Sequence, residues 1–371
     1  MDHASSALSA SANPGSIHEL GVKEKNTLES ARGIVADILN AHSKEIIFTS
    51  GATESNNLAI LGLINAVNRL FLPHIVTTNI EHSSVLEVCK HLEKTKQVEV
   101  TYVSVEGSGI VDPEKIKKAL KPNTVLVSVM YANNEIGTVQ PIREIAKEIR
   151  HHNKNLESKV FFHTDAVQAV NYLPVNVAQL GVDMMSINSA KIYGPKGVGV
   201  LYVKKGTLIS PIMFGGDQEF SLRPGTENVA LAIGLAKALE TTEKMKEIEV
   251  KRLTKFRDYF FKKLSKIKNI KFTINGDLEK RLANNINITI PNIPSDLLVI
   301  ELSARGVMAS AKSACKAGDG KASHVIEAIH PNVKETDGSL RFSVGRETTK
   351  ADIDYTIKAL SHILSKLEKW Y

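Results

Sequence analysis

Several features that mark other classes of protein are scarce in this chain of 371 residues. Its two cysteines, Cys89 and Cys315, are too few for a disulfide framework or a four-cysteine zinc site, so each is considered as a single thiol. Aromatic residues make up 5% of the chain, and no apolar run approaches the ~20 residues of a membrane helix. The opening Met1-Asp2-His3 lacks the basic and apolar segments of a signal peptide, so we expect a cytoplasmic protein without a membrane anchor.

The charged residues also show no clear pattern along the chain. Lys and Arg number 47 against 40 Asp and Glu, which gives a formal net charge of +7. The excess is spread along the chain apart from a lysine-rich run at 262–271, and such a run is typical of a solvated helix face. Composition alone indicates no partner, and no direct contact with nucleic acid is expected.

What the chain does contain is a regular alternation of short apolar runs and helical patterns over its first 245 residues. Strand–helix repetition with turn residues between the elements predicts an α/β fold with a mainly parallel sheet covered on both faces. Sheets of this kind bind ligands beyond the C-terminal ends of their strands. The predicted strands lie at 46–48, 74–80, 98–105, 124–130, 160–163, 183–187 and 198–203.

The pattern changes near residue 240, where 239–267 predicts a long charged helix. Beyond it, apolar runs at 270–274, 285–290 and 340–344 predict strands, and helices are expected near 296–304 and from Lys350. We therefore predict a large domain at 13–240 and a smaller α+β domain formed by 1–12 and 241–371, which carries Cys315.

Three positions on the predicted large domain suit a phosphate-bearing aldehyde cofactor. The small residues of Gly51–Asn57 follow a strand and open a helix, so their N–H groups could hold a phosphate, although an ordinary Ser or Thr helix cap fits the same pattern. Lys191 ends an apolar run, and a desolvated lysine there could form a Schiff base, whereas a solvent-facing lysine is the alternative. Asp165 ends another strand and suits the carboxylate that pairs with a pyridine nitrogen, or a helix cap.

The series of motifs resembles that of the cysteine desulfurases, which are class V, fold type I enzymes that depend on pyridoxal phosphate (PLP). The resemblance runs from about Asp2 to the C-terminus. It is carried by Gly51–Asn57, Glu81-His82, Asn133–Gly137, Asp165–Gln168, Lys191–Gly197, Arg223–Asn228 and Ser313-Ala314-Cys315.

The resemblance implies a role for each matching residue. Lys191 would be the Schiff-base lysine, His82 would stack on the PLP ring and take part in catalysis, and Cys315 would be the nucleophile on a long, exposed loop. Asn13 and Arg341 would bind the substrate carboxylate. The remaining implied cofactor contacts are Ala52, Thr53, Asn134, Asp165, Gln168, Asn188, Ser189 and, on the phosphate of the neighbouring subunit, Thr226.

The implied activity is the removal of sulfur from L-cysteine, which gives L-alanine and a persulfide on Cys315. A homodimer is implied, as is an acceptor protein that uses the sulfur for iron–sulfur cluster assembly or tRNA thiolation. No metal site is expected, although Cys315 could contact an iron–sulfur cluster transiently. A selenocysteine lyase, a cysteine lyase and a non-catalytic sulfur-relay scaffold remain as alternatives. Cys89 lies within the apolar pattern of 85–92 and is predicted to be a core residue.

Two departures from the family pattern stand out. Family members usually carry Ser-x-His-Lys at the Schiff-base lysine, whereas this chain has Asn188 and Ala190 at the serine and histidine positions. Since a hydrogen bond to a charged group contributes about 1.5–3 kcal/mol, this predicts weaker retention of PLP unless Asn188 or Ser189 compensates. The chain also lacks a helix that the family usually has before Asn13.

Overall fold

The computed structural model describes residues 12–67, 71–154, 159–267, 271–311, 323–334 and 337–367. Contacts divide these residues into two compact units. The larger unit takes the described parts of Met1–Val103, Pro113–Tyr131 and Pro141–Lys246, and the smaller unit takes those of Ser104–Asp112, Ala132–Gln140 and Glu247–Tyr371. Segments 104–112 and 132–140 thus belong to the smaller unit, although they fall inside the predicted large domain. The domain boundaries given above stay a prediction.

The larger unit is built on a seven-stranded sheet with the order β1-β7-β6-β5-β4-β2-β3. The neighbouring pairs from β3 through β2, β4 and β5 to β6 are parallel, and β7 is antiparallel to both β6 and β1. This confirms the predicted α/β fold with a mainly parallel sheet. The strands are β1 Ile46–Thr49, β2 His74–Thr78, β3 Glu99–Val103, β4 Thr124–Ser128, β5 Phe161–Asp165, β6 Met184–Asn188 and β7 Gly199–Val203.

Helices of the larger unit bury apolar stripes against this sheet. In Ile142–Asn153 the buried residues recur at three- and four-residue intervals, namely Ile142, Ile145, Ala146 and Ile149, which is the spacing of one helix face. The helices are α1 Glu19–Leu39, α2 Ala52–Ala66, α3 Ser83–Lys94, α4 Pro113–Ala119, α5 Ile142–Asn153, α6 Val177–Leu180 and the beginning of α7 Val229–Leu264, with 3-10 turns at Ser43–Glu45, Ser189–Lys191 and Gln218–Ser221.

Helix α7 begins ten residues before the predicted start at Leu239. Its added first turns carry Val229, Ala232, Leu235 and Ala236, all of which are buried. Small and apolar residues so close together hide the amphipathic period, which becomes visible only in the charged part of the helix.

The smaller unit contains a three-stranded antiparallel sheet with the order β10-β9-β8. Its core includes Ile288, Leu298, Leu340 and Leu360, each fully buried. The elements are β8 Thr273–Ile274, β9 Asn285–Ile290, β10 Gly338–Ser343, α8 Ser295–Ser303, α9 His324–Ile329 and α10 Lys350–Leu367. Across the described ranges, no helix is both long and apolar enough to cross a bilayer.

Candidate cofactor and active site

The start of α2 and the loop before it form the site predicted above to hold a phosphate, called the cradle below. No described side chain caps the N-terminus of α2 there. The residue before the helix is Gly51, which has no side chain to cap the first turn, so the Ser or Thr cap considered above is not what the structure contains. Residues Thr49, Gly199 and Asn188 lie in one row across β1, β7 and β6. Gly199 must be glycine because a Cβ there would lie 2.8 Å from the Cα of Gly51. Ala52 and Thr53 begin the helix.

The side chain of Asn188 lies beside this cradle, whereas that of Ser189 does not. A Cβ on Gly51 would have Asn188 Oδ1 as its near neighbour at 4.0 Å. Ser189 is fully buried, its Oγ has no partner among the described residues, and it lies under Gly194. Asn188 is therefore the nearer of the two to the helix end, although its Oδ1 accepts the Ala190 N–H at 3.4 Å and only its Nδ2 can donate to an anion.

Lys191 lies in the 3-10 turn that follows β6, the strand that neighbours β5 in the sheet. The register of the two strands pairs Asp165 with Ser186, a few residues before Lys191. The side chain of Lys191 is exposed. Its backbone is fixed from outside the turn, because Asn171 Nδ2 donates to the carbonyl oxygen of Lys191 and Thr242 Oγ1 donates to Asn171 Oδ1 at 3.2 Å.

Four polar side chains are hydrogen bonded in series at the end of β5. Asn56 Nδ2 lies 2.8 Å from Asp165 Oδ2 and 2.8 Å from Ser84 Oγ. Ser84 Oγ lies 2.8 Å from His82 Nδ1, and the Ser84 N–H donates to the same nitrogen at 3.1 Å. The other carboxylate oxygen of Asp165 accepts the N–H of Val167. The series brings two predicted site residues, Asp165 and His82, into one network.

Two buried titratable side chains, Glu81 and His163, stand one residue before His82 and two residues before Asp165, respectively. Glu81 accepts hydrogen bonds from the Met130 N–H and the Thr78 hydroxyl, and burial, with a smaller contribution from Asp165, raises its pKa to about 8. His163 lies between Ser128 Oγ and Ser186 Oγ on the two neighbouring strands. Burial lowers its pKa to about 3, so it is neutral at physiological pH.

The other predicted residues of the larger unit stand on three different loop segments of the chain. Gln168 is half-buried in the turn after β5, and Thr226 is exposed before α7. Asn13 is exposed and its Oδ1 accepts the N–H of Gly15 at 2.8 Å, so its described hydrogen bond is local. Their assigned roles stay predictions.

In the smaller unit the structure joins Asn134 to Arg341. Arg341 lies on β10, and its Nη1 donates to the carbonyl oxygen of Asn134 at 2.8 Å. Asn285 and Asn287 of β9 donate to the carbonyl oxygen of Glu135, the next residue of that segment. Burial lowers the pKa of Arg341, and the negative charge of Glu135 opposes this. One side of the guanidinium is thus used to hold the backbone of 132–140.

The predicted nucleophile Cys315 lies outside the described residues, as does the rest of 312–322. The described residues on either side are tied to two parts of the smaller unit, β10 and the segment 132–140. Ser310 exchanges two backbone hydrogen bonds with Arg341, and the Ser323 hydroxyl donates to the buried carboxylate of Glu135. The other cysteine, Cys89, is fully buried in the apolar core of the larger unit, as predicted, and burial raises its pKa to about 12.

Sequence reasoning did not assign roles to Asn56, Ser84 or Asn171. Asn56 stands inside the Gly51–Asn57 motif, and Ser84 follows His82 by two residues, a spacing at which a helix-capping side chain meets a backbone N–H. Those local signals could have suggested Ser84. The bonds of Asn56 to Asp165 and of Asn171 to Lys191 join residues far apart in sequence and leave no local pattern.

The donor set fits PLP in three respects. An uncapped helix N-terminus suits a phosphate, a carboxylate at a strand end suits the pyridine nitrogen, and an accessible amine next to that strand suits the aldehyde. Among the described ranges no group of three His, Cys, Asp or Glu side chains could hold a metal ion.

Comparison with known proteins identifies the family of the chain. The profile of the family described as Aminotransferase class-V matches residues 1–356. The chain is 46% identical over 356 residues to a cysteine desulfurase IscS of Dictyoglomus turgidum, which covers 96% of this chain and 88% of that protein. A solved NifS-like protein is similar with a TM-score of 0.88 and 34% identity, covering 96% and 92% of the two chains. A structure of SspA in complex with cysteine has a TM-score of 0.76 and 35% identity, covering 91% of each.

Proposed function

Because the chain belongs to the class-V aminotransferase family and, within it, to the cysteine desulfurases, we propose that it removes sulfur from L-cysteine with PLP as cofactor. The products are L-alanine and a persulfide on Cys315. The observation that carries this proposal is the adjacency of β5 and β6, which bear Asp165 and, just beyond the end of β6, Lys191. The similarity to a protein solved with cysteine supports the choice of substrate.

The geometry above supports a proposed set of PLP-binding residues in the larger unit. The N–H groups of Ala52 and Thr53, with Asn188, would hold its phosphate, Asp165 would pair with its ring nitrogen, and Lys191 would bind its aldehyde carbon. When bound, PLP withdraws electrons from the substrate α-carbon. His82, Gln168 and Thr226 complete the proposed set in the larger unit, Thr226 acting across a homodimer, and Asn134 of the smaller unit is a further proposed contact.

The protein's own residues then move protons and one sulfur atom. The Lys191 amine takes the proton from the substrate α-carbon and returns a proton to that carbon after the sulfur has left, so that alanine regains its α-hydrogen. The Cys315 thiolate attacks the substrate sulfur, so that a new S–S bond forms while the bond between that sulfur and the β-carbon breaks. The electron pair of the broken bond stays on carbon, which is protonated to become the methyl group of alanine. Cys315 retains the sulfur as a persulfide.

Arg341 would hold the substrate carboxylate, with Asn13 as a second contact. A guanidinium suits this role because its planar fork matches a carboxylate. The persulfide would pass to an acceptor protein for iron–sulfur cluster assembly or tRNA thiolation, and we expect this exchange to occur in the cytoplasm.

The two cysteines provide a matched test. The purified enzyme with PLP is given L-cysteine, and alanine and protein-bound persulfide are measured in the wild type, Cys315→Ala and Cys89→Ala. We expect the wild type and Cys89→Ala to form both products. Cys315→Ala should form both far more slowly than the wild type. Free sulfide with pyruvate and ammonia in place of alanine and persulfide would indicate a cysteine lyase, and no product at all would favour a non-catalytic scaffold; either result contradicts the proposal.

A further inference from the structure

The series Asp165, Asn56, Ser84 and His82 has a direction that the chemistry of its members fixes. Asn56 contacts both of its neighbours through the same atom, Nδ2. An amide nitrogen carries two hydrogens and no usable lone pair, so it donates to the Asp165 carboxylate and to Ser84 Oγ at once. The opposite orientation of the amide would place its oxygen against the carboxylate oxygen.

The burial of Asn56 gives a reason why its amide keeps this orientation. Asn56 is fully buried, and its Oδ1 has no partner among the described residues. Leaving a buried acceptor unpaired costs free energy, yet the side chain keeps both hydrogens on Asp165 and Ser84. The two hydrogen bonds that Asn56 donates, to Asp165 and to Ser84, therefore determine the position of its side chain.

Ser84 accepts a hydrogen bond from Asn56 and donates to His82. Ser84 Oγ accepts from Asn56, which leaves its own proton for His82 Nδ1 at 2.8 Å, and the Ser84 N–H donates to the same nitrogen. A nitrogen that faces two donors has to present its lone pair, so a proton on Nδ1 would meet the backbone N–H head-on. In the neutral imidazole the proton then belongs on the other nitrogen, Nε2.

We propose that Asn56 and Ser84 are positioning residues that join Asp165 to His82 and hold His82 in the tautomer with its proton on Nε2. His82 then meets its target as a hydrogen-bond donor and not as a base, which leaves removal of the α-proton to Lys191. Asn56 at the same time orients the carboxylate of Asp165. The use of both ends in catalysis rests on the proposed function, whereas the hydrogen-bond series and the tautomer do not.

The test measures both ends of the series. The tautomer of His82 is determined by 15N NMR of the holoenzyme, with its signals assigned by their absence in His82→Gln. The state of the cofactor beside Asp165 is followed by its visible absorbance. Both are recorded for Asn56→Leu, Ser84→Ala, Ser84→Thr and the matched control Ser83→Ala, whose substitution is at the preceding residue of the same helix.

We expect the wild type to show Nε2–H. Asn56→Leu should change both the His82 signals and the absorbance. Ser84→Ala loses the hydroxyl donor but keeps the backbone N–H, so it should shift the Nδ1 resonance of His82 while Nε2 stays protonated and the absorbance stays the same. Ser84→Thr, which keeps the hydroxyl, should restore the wild-type signals. Loss of a single such bond should lower kcat/KM about tenfold in Ser84→Ala. Ser83→Ala should match the wild type in every readout.

Three results would overturn the proposal: Nδ1–H in the wild type, an Asn56→Leu variant unchanged at both ends, or Ser83→Ala behaving as Ser84→Ala does. Should Asn56→Leu not fold, the Ser84 pair with its control still decides the link to His82. Since the NMR measurement needs no turnover of L-cysteine, failure to form alanine would refute the proposed function and leave the tautomer result standing.

Discussion

The end of β5 in the larger unit and the segment 132–140 in the smaller unit both carry predicted site residues, but they hold them by different means. At the end of β5, Asp165 is bound by another side chain, Asn56, which continues to Ser84 and His82. Along 132–140 the side chains of Arg341, Asn285 and Asn287 donate instead to backbone carbonyl oxygens.

This difference indicates which property each region controls. Hydrogen bonds between side chains fix the protonation state and tautomer of the groups involved. Donation to carbonyl oxygens fixes the path of the backbone and leaves protonation unaffected. Substitutions in the first region should therefore alter chemistry and pH dependence, and those in the second should alter substrate affinity and stability.

The largest effect is expected for Asp165→Asn. The amide cannot carry the negative charge that pairs with a protonated ring nitrogen, so kcat should fall by about 10²–10⁴, the range typical of a residue that controls a proton in catalysis. The measurement is alanine formation at saturating L-cysteine. Asp183→Asn is the matched control, because Asp183 is also buried but precedes β6 and binds Lys159 and the Phe162 N–H. An equal loss in kcat for both variants would show that burial, and not the position of Asp165, matters.

The next effect is expected for Arg341→Lys. Lysine keeps the charge but has no planar fork with which to hold both the carbonyl oxygen of Asn134 and a carboxylate. We expect kcat/KM to fall about 10–100-fold, mainly through a higher KM, as for the loss of one charged hydrogen bond. Arg305→Lys, which alters an ion pair with Glu301 within one helical turn, should leave KM unchanged. A lower kcat with unchanged KM would contradict a substrate-binding role.

Much of this arrangement could be predicted from the sequence, and particular residues show why the rest could not. The strand runs ending near Asp165 and Asn188 were visible because buried strands are continuously apolar. The antiparallel direction of β7 was missed, although the segment 189–198 before it is too short for the crossover that parallel strands need. The partnership of Asn56 with Asp165 could not be predicted, because it depends on how α2 packs on the sheet.

The carbonyl oxygen of Glu135 allows a test of the backbone-holding region alone. It accepts from both Asn285 and Asn287, so removing one donor leaves it paired, and removing both leaves it without a partner in the part of the chain that the structure describes. We expect Asn285→Ala/Asn287→Ala to lose about 1–3 kcal/mol more free energy of unfolding than the sum of the two single variants. Urea denaturation of the four proteins measures this coupling, and strictly additive losses would contradict it.

The smallest effect is a pH dependence that belongs to the larger unit. The pKa of Glu81 is raised from 4.5 to about 8 in the folded state, so the folded protein keeps a proton that the unfolded chain has released. Stability should therefore fall as pH rises through this window, by up to about 1.4 kcal/mol per pH unit. His163, with its pKa lowered to about 3, acts in the opposite sense: the stability it contributes is lost as pH falls below about 6.5.

Between pH 6.5 and 8 the contribution of Glu81 can accordingly be isolated. The wild type should lose about 1–2 kcal/mol of unfolding free energy over this range, while Glu81→Gln, which cannot titrate, should lose clearly less. Glu99→Gln should retain the wild-type slope, because Lys121 lowers the pKa of that exposed carboxyl and it stays ionised throughout. If Glu81→Gln follows the wild-type slope, Glu81 does not hold a proton in the folded protein. That result would contradict the view that the region around Asp165 controls protonation in the larger unit.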